Sequence, residues 1–404
     1  MGAAHARPSN PNDDSFGGLP LSRYTLGPAT LALGDGTSVA GRIAVERGRI
    51  AEILPPDGPS DLILPDGAIV APGLIDVHTN GAGEFLFNRD QGNAVPVAAA
   101  EYARMGATAF VASVMTAPWE SMLHAASDIA EAAHELQENG GRGARCLGIH
   151  FEGPFLSPKF RRVHRHEWIV PASRERAQEM VDACKGTLLM VTLAPEVDGA
   201  TDAARIFLEN GVTCSAGHTA AKYREGKLAI GLGYRSLTHA FNGMPTLDHR
   251  DPSILLAFVQ DARTLVQVIC DGQHVAPVMV DLLRRTLGDR IVLATDNMPP
   301  AGPGYHIEGG VMRSEDGTIA GSALRIDQAV RNYMEYAELP FEKAIVGATH
   351  AAAKIVGHER EMGTIAPGMR ADLSLWNAHH QVIGTMVGGE LVYDAMTAPA
   401  AAVS

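Results

Sequence analysis

Short apolar runs rich in β-branched residues recur through the middle of the chain, and longer stretches between them repeat apolar residues every three or four positions. The runs are AIVAPGLIDVH (68–78), TAFVASVM (108–115), RCLGIHF (145–151), TLLMVTLA (187–194), VTCSAGH (212–218), SLTHAF (236–241), TLVQVICDG (264–272) and RIVLATD (290–296). Near-continuous hydrophobicity predicts strands buried on both faces. The stretches between them, such as VPVAAAEYARMG, SMLHAASDIAEAAHELQEN, ASRERAQEMVDACKG, TDAARIFLENG and PVMVDLLRRTLGD, carry helical periodicity. Eight such units predict an α/β chain with a parallel (β/α)8 TIM-like barrel. No G-x-G-x-x-G follows an early strand to favour a dinucleotide-binding sheet.

The ends of the chain have another texture. From Tyr24 to Val70, and again in GTIAPGMRADLSLWNAHHQVIGTMVGGELVYD, short β-prone segments alternate with Gly, Asp and Pro. Hairpin turns are expected at Gly34-Asp35-Gly36 and at Arg47-Gly48. These patterns predict a small antiparallel, sandwich-like β domain built from both termini: residues 21–70 plus 363–404, around a barrel at 71–362. Residues 1–20 have no periodicity and are expected to form a disordered tail.

Composition narrows the function. With 404 residues, 46% of them hydrophobic, the chain can bury a large core. A formal charge of -13 and the lack of any Lys/Arg block argue against nucleic-acid or anionic-membrane binding. No apolar run approaches the roughly 18 residues of a membrane span. Cys146, Cys184, Cys214 and Cys270 are widely spaced, three of them inside apolar runs, which predicts reduced thiols in a cytoplasmic protein.

Barrel chemistry gathers at the C-terminal ends of the strands. There the first run ends at His78, the third reaches Glu152, the fifth ends at His218 and the sixth passes through His239. The seventh leads through Asp271 to His274, and the eighth ends at Asp296. Any one of these could be a turn residue or helix cap; six on one rim predict a polar active site. Glu152, His218 and His239 offer the carboxylate and two imidazoles expected of a catalytic divalent-metal site. Zinc is the first expectation, with iron, manganese and cobalt open because N/O donors discriminate poorly among them. Asp296 is placed to exchange protons with a water at the metal, or to serve as a further ligand or a cap. After His78-Thr79 comes Asn80, where a His-x-His pair would need a second histidine.

The ordered strings HFEGPFL (150–156), LAPE (193–196), AGHT (216–219), THAFNGM (238–244), DGQH (271–274), TDNM (295–298) and AGSAL (320–324) resemble the N-acetylglucosamine-6-phosphate deacetylase family of the amidohydrolase superfamily. PGLIDVH and GTIAPGMRADL extend the resemblance over nearly the whole chain. It implies one divalent metal per subunit on Glu152, His218 and His239, with Asp296 as general base and then acid. His164 and His274 would contact the substrate, His164 polarising the acetyl carbonyl. Gly153, Ala240, Phe241, Asn242 and Ser322 would complete the contacts to a phosphorylated N-acetyl amino sugar. Arg250 matches an arginine that reaches the neighbouring active site in a homodimer, its plain alternative being an ordinary surface residue. His78 and Asn80 read as the remnant of a second metal position, so that one ion is expected and not two.

The segment KFRRVHRHEW departs from the family, whose members usually carry a small Gly-Ala pair before the histidine. Arg161, Arg162 and Arg165 therefore bear on substrate choice. Asn297, Ser253 and His350 also depart, away from the ligands. Competing readings are an N-acetylgalactosamine 6-phosphate deacetylase, another N-acyl or cyclic-amide hydrolase, and a non-catalytic scaffold. Hydrolases of the second kind more often hold two metals on a carbamylated lysine, and no lysine sits at the matching strand ends. A scaffold predicts missing ligands, and none is missing.

Overall fold

The eight apolar runs become eight parallel strands: Leu74–Thr79, Ala107–Met115, Arg145–Glu152, Leu188–Leu193, Thr213–Ala216, Ser236–Leu237, Leu265–Val268 and Ile291–Leu293. The computed structural model describes residues 23–139, 141–299 and 305–396; the tail expected at 1–20 lies outside them. Each strand pairs in parallel with the next in chain order. The ring closes past the eighth strand, where the Asp296 amide donates to the His78 carbonyl (2.9 Å) and the Asn80 amide to the Asn297 carbonyl (2.8 Å). Three candidate site residues, His78, Asn80 and Asp296, are thus part of the seam itself.

Helices follow the expected stretches at Ala94–Ala103, Trp119–Glu138, Arg174–Ala183, Ala200–Glu209 and Pro277–Leu287. Their apolar faces bury alanines, Met122, Ile129, Phe207 and Val280 against the strands. Ser173 caps one of them by accepting from the Arg176 amide. A three-stranded antiparallel insert (Tyr305–Glu308, Val311–Ser314, Ile319–Ser322) follows the eighth strand and was not anticipated, because its strands are only four residues each and too short for a clear periodic signal.

The inside of the barrel is polar beneath the rim. His150 bonds Ser113 and Thr192, Thr192 bonds Thr238, and Thr238 bonds Ser215. Ser215 then bonds Ser236, which also accepts from Gln267. This chain of hydrogen bonds joins the second strand to the seventh, so the buried hydroxyls are satisfied and the ring is tied across its width.

Strands from both termini form one eight-stranded mixed sheet over a separate apolar core that includes Leu26, Ile43, Val70, Leu373 and Met386. Both expected hairpin turns are present, but Arg23–Ala32 also pairs in parallel with Leu62–Ile63 and Ile69–Pro72. Parallel pairing needs a crossover, which a tight turn cannot supply. Here the 55–61 loop provides it, held by the Arg42 guanidinium on the carbonyls of Pro55, Asp57 and Pro59. The run 68–78, read as one strand, is two. Ile69–Pro72 pairs with Leu373–Trp376 in this sheet, and the chain enters the barrel after Gly73. No helix among the described residues is long and apolar enough to cross a membrane.

Candidate active site

Glu152 and His78 reach the site from regular strand backbone, whereas other strand ends turn as they leave the sheet. His218, His239 and Asp296 do this at φ of +45°, +29° and +47°. Left-handed backbone at non-glycine residues costs about 1–3 kcal/mol each and persists only where the surroundings fix it. The His218 carbonyl accepts from the Ser157 amide, and the Asp296 carbonyl from the Ser322 amide, each at 2.8 Å. Gly243 (φ +59°) passes so close to His218 that a Cβ there would lie 3.0 Å from the ring.

Three donor atoms converge. His218 Nε2 lies 3.1 Å from Glu152 Oε1, His239 Nε2 lies 3.3 Å from the same oxygen, and the two Nε2 atoms are 3.1 Å apart. Each ring turns its Nδ1 toward a carbonyl oxygen, His218 toward Phe160 (3.0 Å) and His239 toward Asn242 (3.1 Å). A carbonyl only accepts, so each Nδ1 carries the proton and both Nε2 atoms present lone pairs to one another. Two lone pairs and a carboxylate facing each other repel unless a cation lies between them. Their spacing matches the roughly 3.3 Å expected of tetrahedral ligands about 2 Å from one ion. These buried groups fit a divalent metal. Burial pushes the His239 pKa down, which favours the neutral ligand form.

The opposite corner is looser. His78 Nε2 is 3.5 Å from Glu152 Oε2 and 3.5 Å from Asp296 Oδ1, and neither ring nitrogen has a hydrogen-bond partner among the described residues. Asn80 Nδ2 donates to Asp296 Oδ1 at 2.8 Å. Burial alone would lower the His78 pKa, but the charges of Glu152 and Asp296 outweigh it and push the pKa up to about 9. Under this corner Asp76, wholly buried, accepts from the Tyr102 hydroxyl (3.1 Å) and the Thr295 hydroxyl (2.6 Å). It also accepts from the amides of His78 and Thr295, tying the first strand to the eighth.

A cavity of about 270 Å³ opens over both corners, lined by Glu152, His164, His218, His239, Asn242, His274 and Asp296. His164 is buried edge-on against the His218 ring (4.5 Å between centroids), and burial pushes its pKa down to about 3, leaving a neutral imidazole. His274 Nδ1 contacts Asp271 Oδ2 at 2.6 Å. Burial works against the charge of Asp271, but the contact with His274 holds its pKa below the usual range.

Residues 69–392 match the Amidohydrolase family. The chain is 32% identical over 354 residues to an N-acetylglucosamine-6-phosphate deacetylase of Vibrio furnissii, spanning 85% of this chain and 86% of that one. The chain belongs to the N-acetylglucosamine-6-phosphate deacetylase family. An N-acetylgalactosamine-6-phosphate deacetylase of Escherichia coli O157:H7 is 31% identical over 81% of this chain and 88% of its own. Among solved structures, a mutant N-acetyl-D-glucosamine-6-phosphate deacetylase from Mycobacterium smegmatis, in complex with N-acetyl-D-glucosamine-6-phosphate, superposes with a TM-score of 0.82 at 30% identity. That match covers 92% of this chain and 99% of the other.

Within the family's frame, the expected residues fall into two sets. Glu152, His164, His218, His239, Asn242, His274 and Asp296 share the cavity, with His78 and Asn80 packed behind Asp296. Gly153, Ala240, Phe241 and Ser322 are not in its wall; they neighbour residues that are or, like Ser322, bond the barrel backbone at Asp296 and Thr295. Arg250 is solvent-exposed and away from the cavity of its own chain. Sequence reasoning passed over Asp76, although a carboxylate inside the apolar run LIDVH was a visible signal. It also passed over Glu196, at the end of the fourth strand, whose carboxylate holds the Thr219 hydroxyl and Ala220 amide beside His218.

Proposed function

We propose that the chain hydrolyses the N-acetyl group of N-acetylglucosamine 6-phosphate, giving glucosamine 6-phosphate and acetate. The observation that carries the reading is the convergence of Glu152, His218 and His239, within 3.1–3.3 Å of one another, in a cavity shared with Asp296 and His164. Family membership and the bound sugar phosphate of the Mycobacterium smegmatis relative support it. The cavity lies at the small end of ligand pockets, which suits a monosaccharide better than a polymer.

In this reading Glu152, His218 and His239 hold one divalent ion per subunit, zinc by its liking for such a set of donors. When bound, the ion supplies Lewis acidity for the carbonyl and makes water nucleophilic at neutral pH. Asp296 takes a proton from the attacking water as the new C–O bond forms. The neutral His164 imidazole hydrogen-bonds the carbonyl oxygen as negative charge develops on it. Asp296 then returns the proton to nitrogen as the C–N bond breaks, and the amine leaves. Asn80 holds Asp296 Oδ1, which leaves Oδ2 for this exchange. His274 and Asn242 orient the sugar, and Arg250 reaches the phosphate in the neighbouring subunit of a homodimer. Four buried thiols fit a reducing, cytoplasmic setting.

The 31% identity to the N-acetylgalactosamine-6-phosphate deacetylase favours one second reading, the other epimer. Acetate release from both N-acetylhexosamine 6-phosphates and from their unphosphorylated forms separates the cases. We expect the gluco 6-phosphate to give the highest kcat/KM. A galacto preference would replace the substrate, and no acetate from any of the four with metal supplied would sink the reading.

A further inference from the structure

Three arginines crowd the loop that carries His164, and the structure accounts for two of them. Arg161 turns its guanidinium back onto the loop, donating to the carbonyls of Arg162 (3.3 Å) and His164 (2.7 Å). Arg165 lies over the Trp168 ring at 4.8 Å and reaches Glu167 at 4.0 Å. Arg162 is left. Its side chain makes no hydrogen bond and no ion pair among the described residues, and it is exposed. It lines the cavity above the metal-binding residues and also the adjoining groove of Lys159 and Thr246.

The loop does not let Arg162 drift. After it in the chain Val163 packs against the apolar cluster of Met298, Met312 and Ala320 and His164 is buried; before it Arg161 is bonded back onto the loop. Between them Arg162 sits at φ +52°, a conformation that glycine adopts freely and a long side chain does not. A strained, unpaired cation is thus fixed at the mouth of a cavity whose floor carries the carboxylates of Glu152 and Asp296. The chain as a whole, at a formal -13, repels anions, so a phosphorylated substrate gains from a local counter-charge.

We propose that Arg162 is a specificity-determining residue that binds the phosphate of the substrate from within the same chain. It rests on the deacetylase reading and adds to it a cation supplied in cis. A guanidinium grips phosphate through paired N–H donors, and because the adjoining groove also carries Asp248 and Asp251, the phosphate is placed on the cavity side of Arg162. Arg162 also shares the cavity wall with Asn242 and His274, on the side expected to meet the sugar.

The test is steady-state kinetics of the metal-loaded enzyme, comparing N-acetylglucosamine 6-phosphate with N-acetylglucosamine, for wild type and for Arg162→Gly, Arg162→Ala and Arg162→Lys. The glycine variant relieves the backbone strain, so a loss there is not a folding defect. We expect the ratio of kcat/KM, phosphorylated over unphosphorylated, to fall by about tenfold or more in the Gly and Ala variants, mostly through KM. The Lys variant should recover part of it, and the wild-type ratio should decline with salt more steeply than that of the Gly variant. A ratio within twofold of wild type in both the Gly and Ala variants overturns the role of Arg162 while leaving the deacetylase reading in place. A wild type that does not favour the phosphorylated sugar overturns the phosphate reading first, and Arg162 with it.

Discussion

The two acidic corners of the cavity share Glu152 and differ in almost everything else. At one, Glu152 Oε1 meets two imidazole nitrogens within 3.3 Å, and each imidazole is oriented by a backbone carbonyl. At the other, Glu152 Oε2 and Asp296 lie 3.5 Å from a histidine whose ring nitrogens have no hydrogen-bond partner among the described residues. Asn80 occupies the place where a second imidazole would stand, and gives its N–H to Asp296. The donor atoms of either corner lie close enough to hold an ion, but only in the first are the imidazoles oriented by hydrogen bonds to backbone carbonyls. In the proposed function the first corner holds one ion tightly and the second positions Asp296 as the base.

The largest effect should come from breaking the shared residue. Glu152→Ala should drop metal content from about one ion per chain to near zero and cut kcat by more than about a thousandfold. Elemental analysis and turnover read both. Asp296→Asn should separate the corners, keeping the metal while kcat falls by about a hundredfold to ten-thousandfold. If that variant lost its metal instead, Asp296 would be a ligand first and a base second. Next, Asn80→His restores the His-x-His pair and should raise metal content toward two per chain, with kcat down about tenfold as Asp296 loses its hydrogen bond. Content that stays at one would mean that the corner is closed for reasons beyond Asn80.

The smallest effect concerns stability. Against burial, Glu152 and Asp296 raise the His78 pKa to about 9, above its ordinary 6.5, so the charged ring stabilises the folded, metal-free protein. That contribution is complete below pH 6.5 and lost as the pH climbs through 9, on the order of a few kcal/mol. The difference in melting temperature between metal-free wild type and His78→Asn should therefore shrink between those values. A constant difference would show that His78 is neutral in the fold.

Much of this was legible in advance where a local pattern reports on burial. All eight barrel strands follow from near-continuous apolar runs, and the rim residues from the polar residue that ends or follows each run. The insert at 305–322 escaped because strands of four residues are too short for their periodicity to stand out. The parallel pairing in the terminal sheet escaped because hairpin turns mark only antiparallel neighbours. Among site residues, Asp76 and Glu196 bind backbone and hydroxyl groups of other strands, partners that no spacing in the chain reveals.

Sequence alone determined the class of barrel, the candidate donors and the absence of a second histidine at Asn80, since residue type, continuous apolar runs and helical spacing are one-dimensional properties. Tertiary structure decided which way each donor faces. The left-handed turns at His218, His239 and Asp296 aim three strand ends into one cavity, and the seam hydrogen bonds bring Asn80 to Asp296 across 216 residues. Of the arginines beside His164, only the folded loop singles out Arg162 as the one without a partner among the described residues. Charge is written in the sequence, but whether a charge is spent on a neighbour or left for a ligand depends on which groups the fold sets beside it.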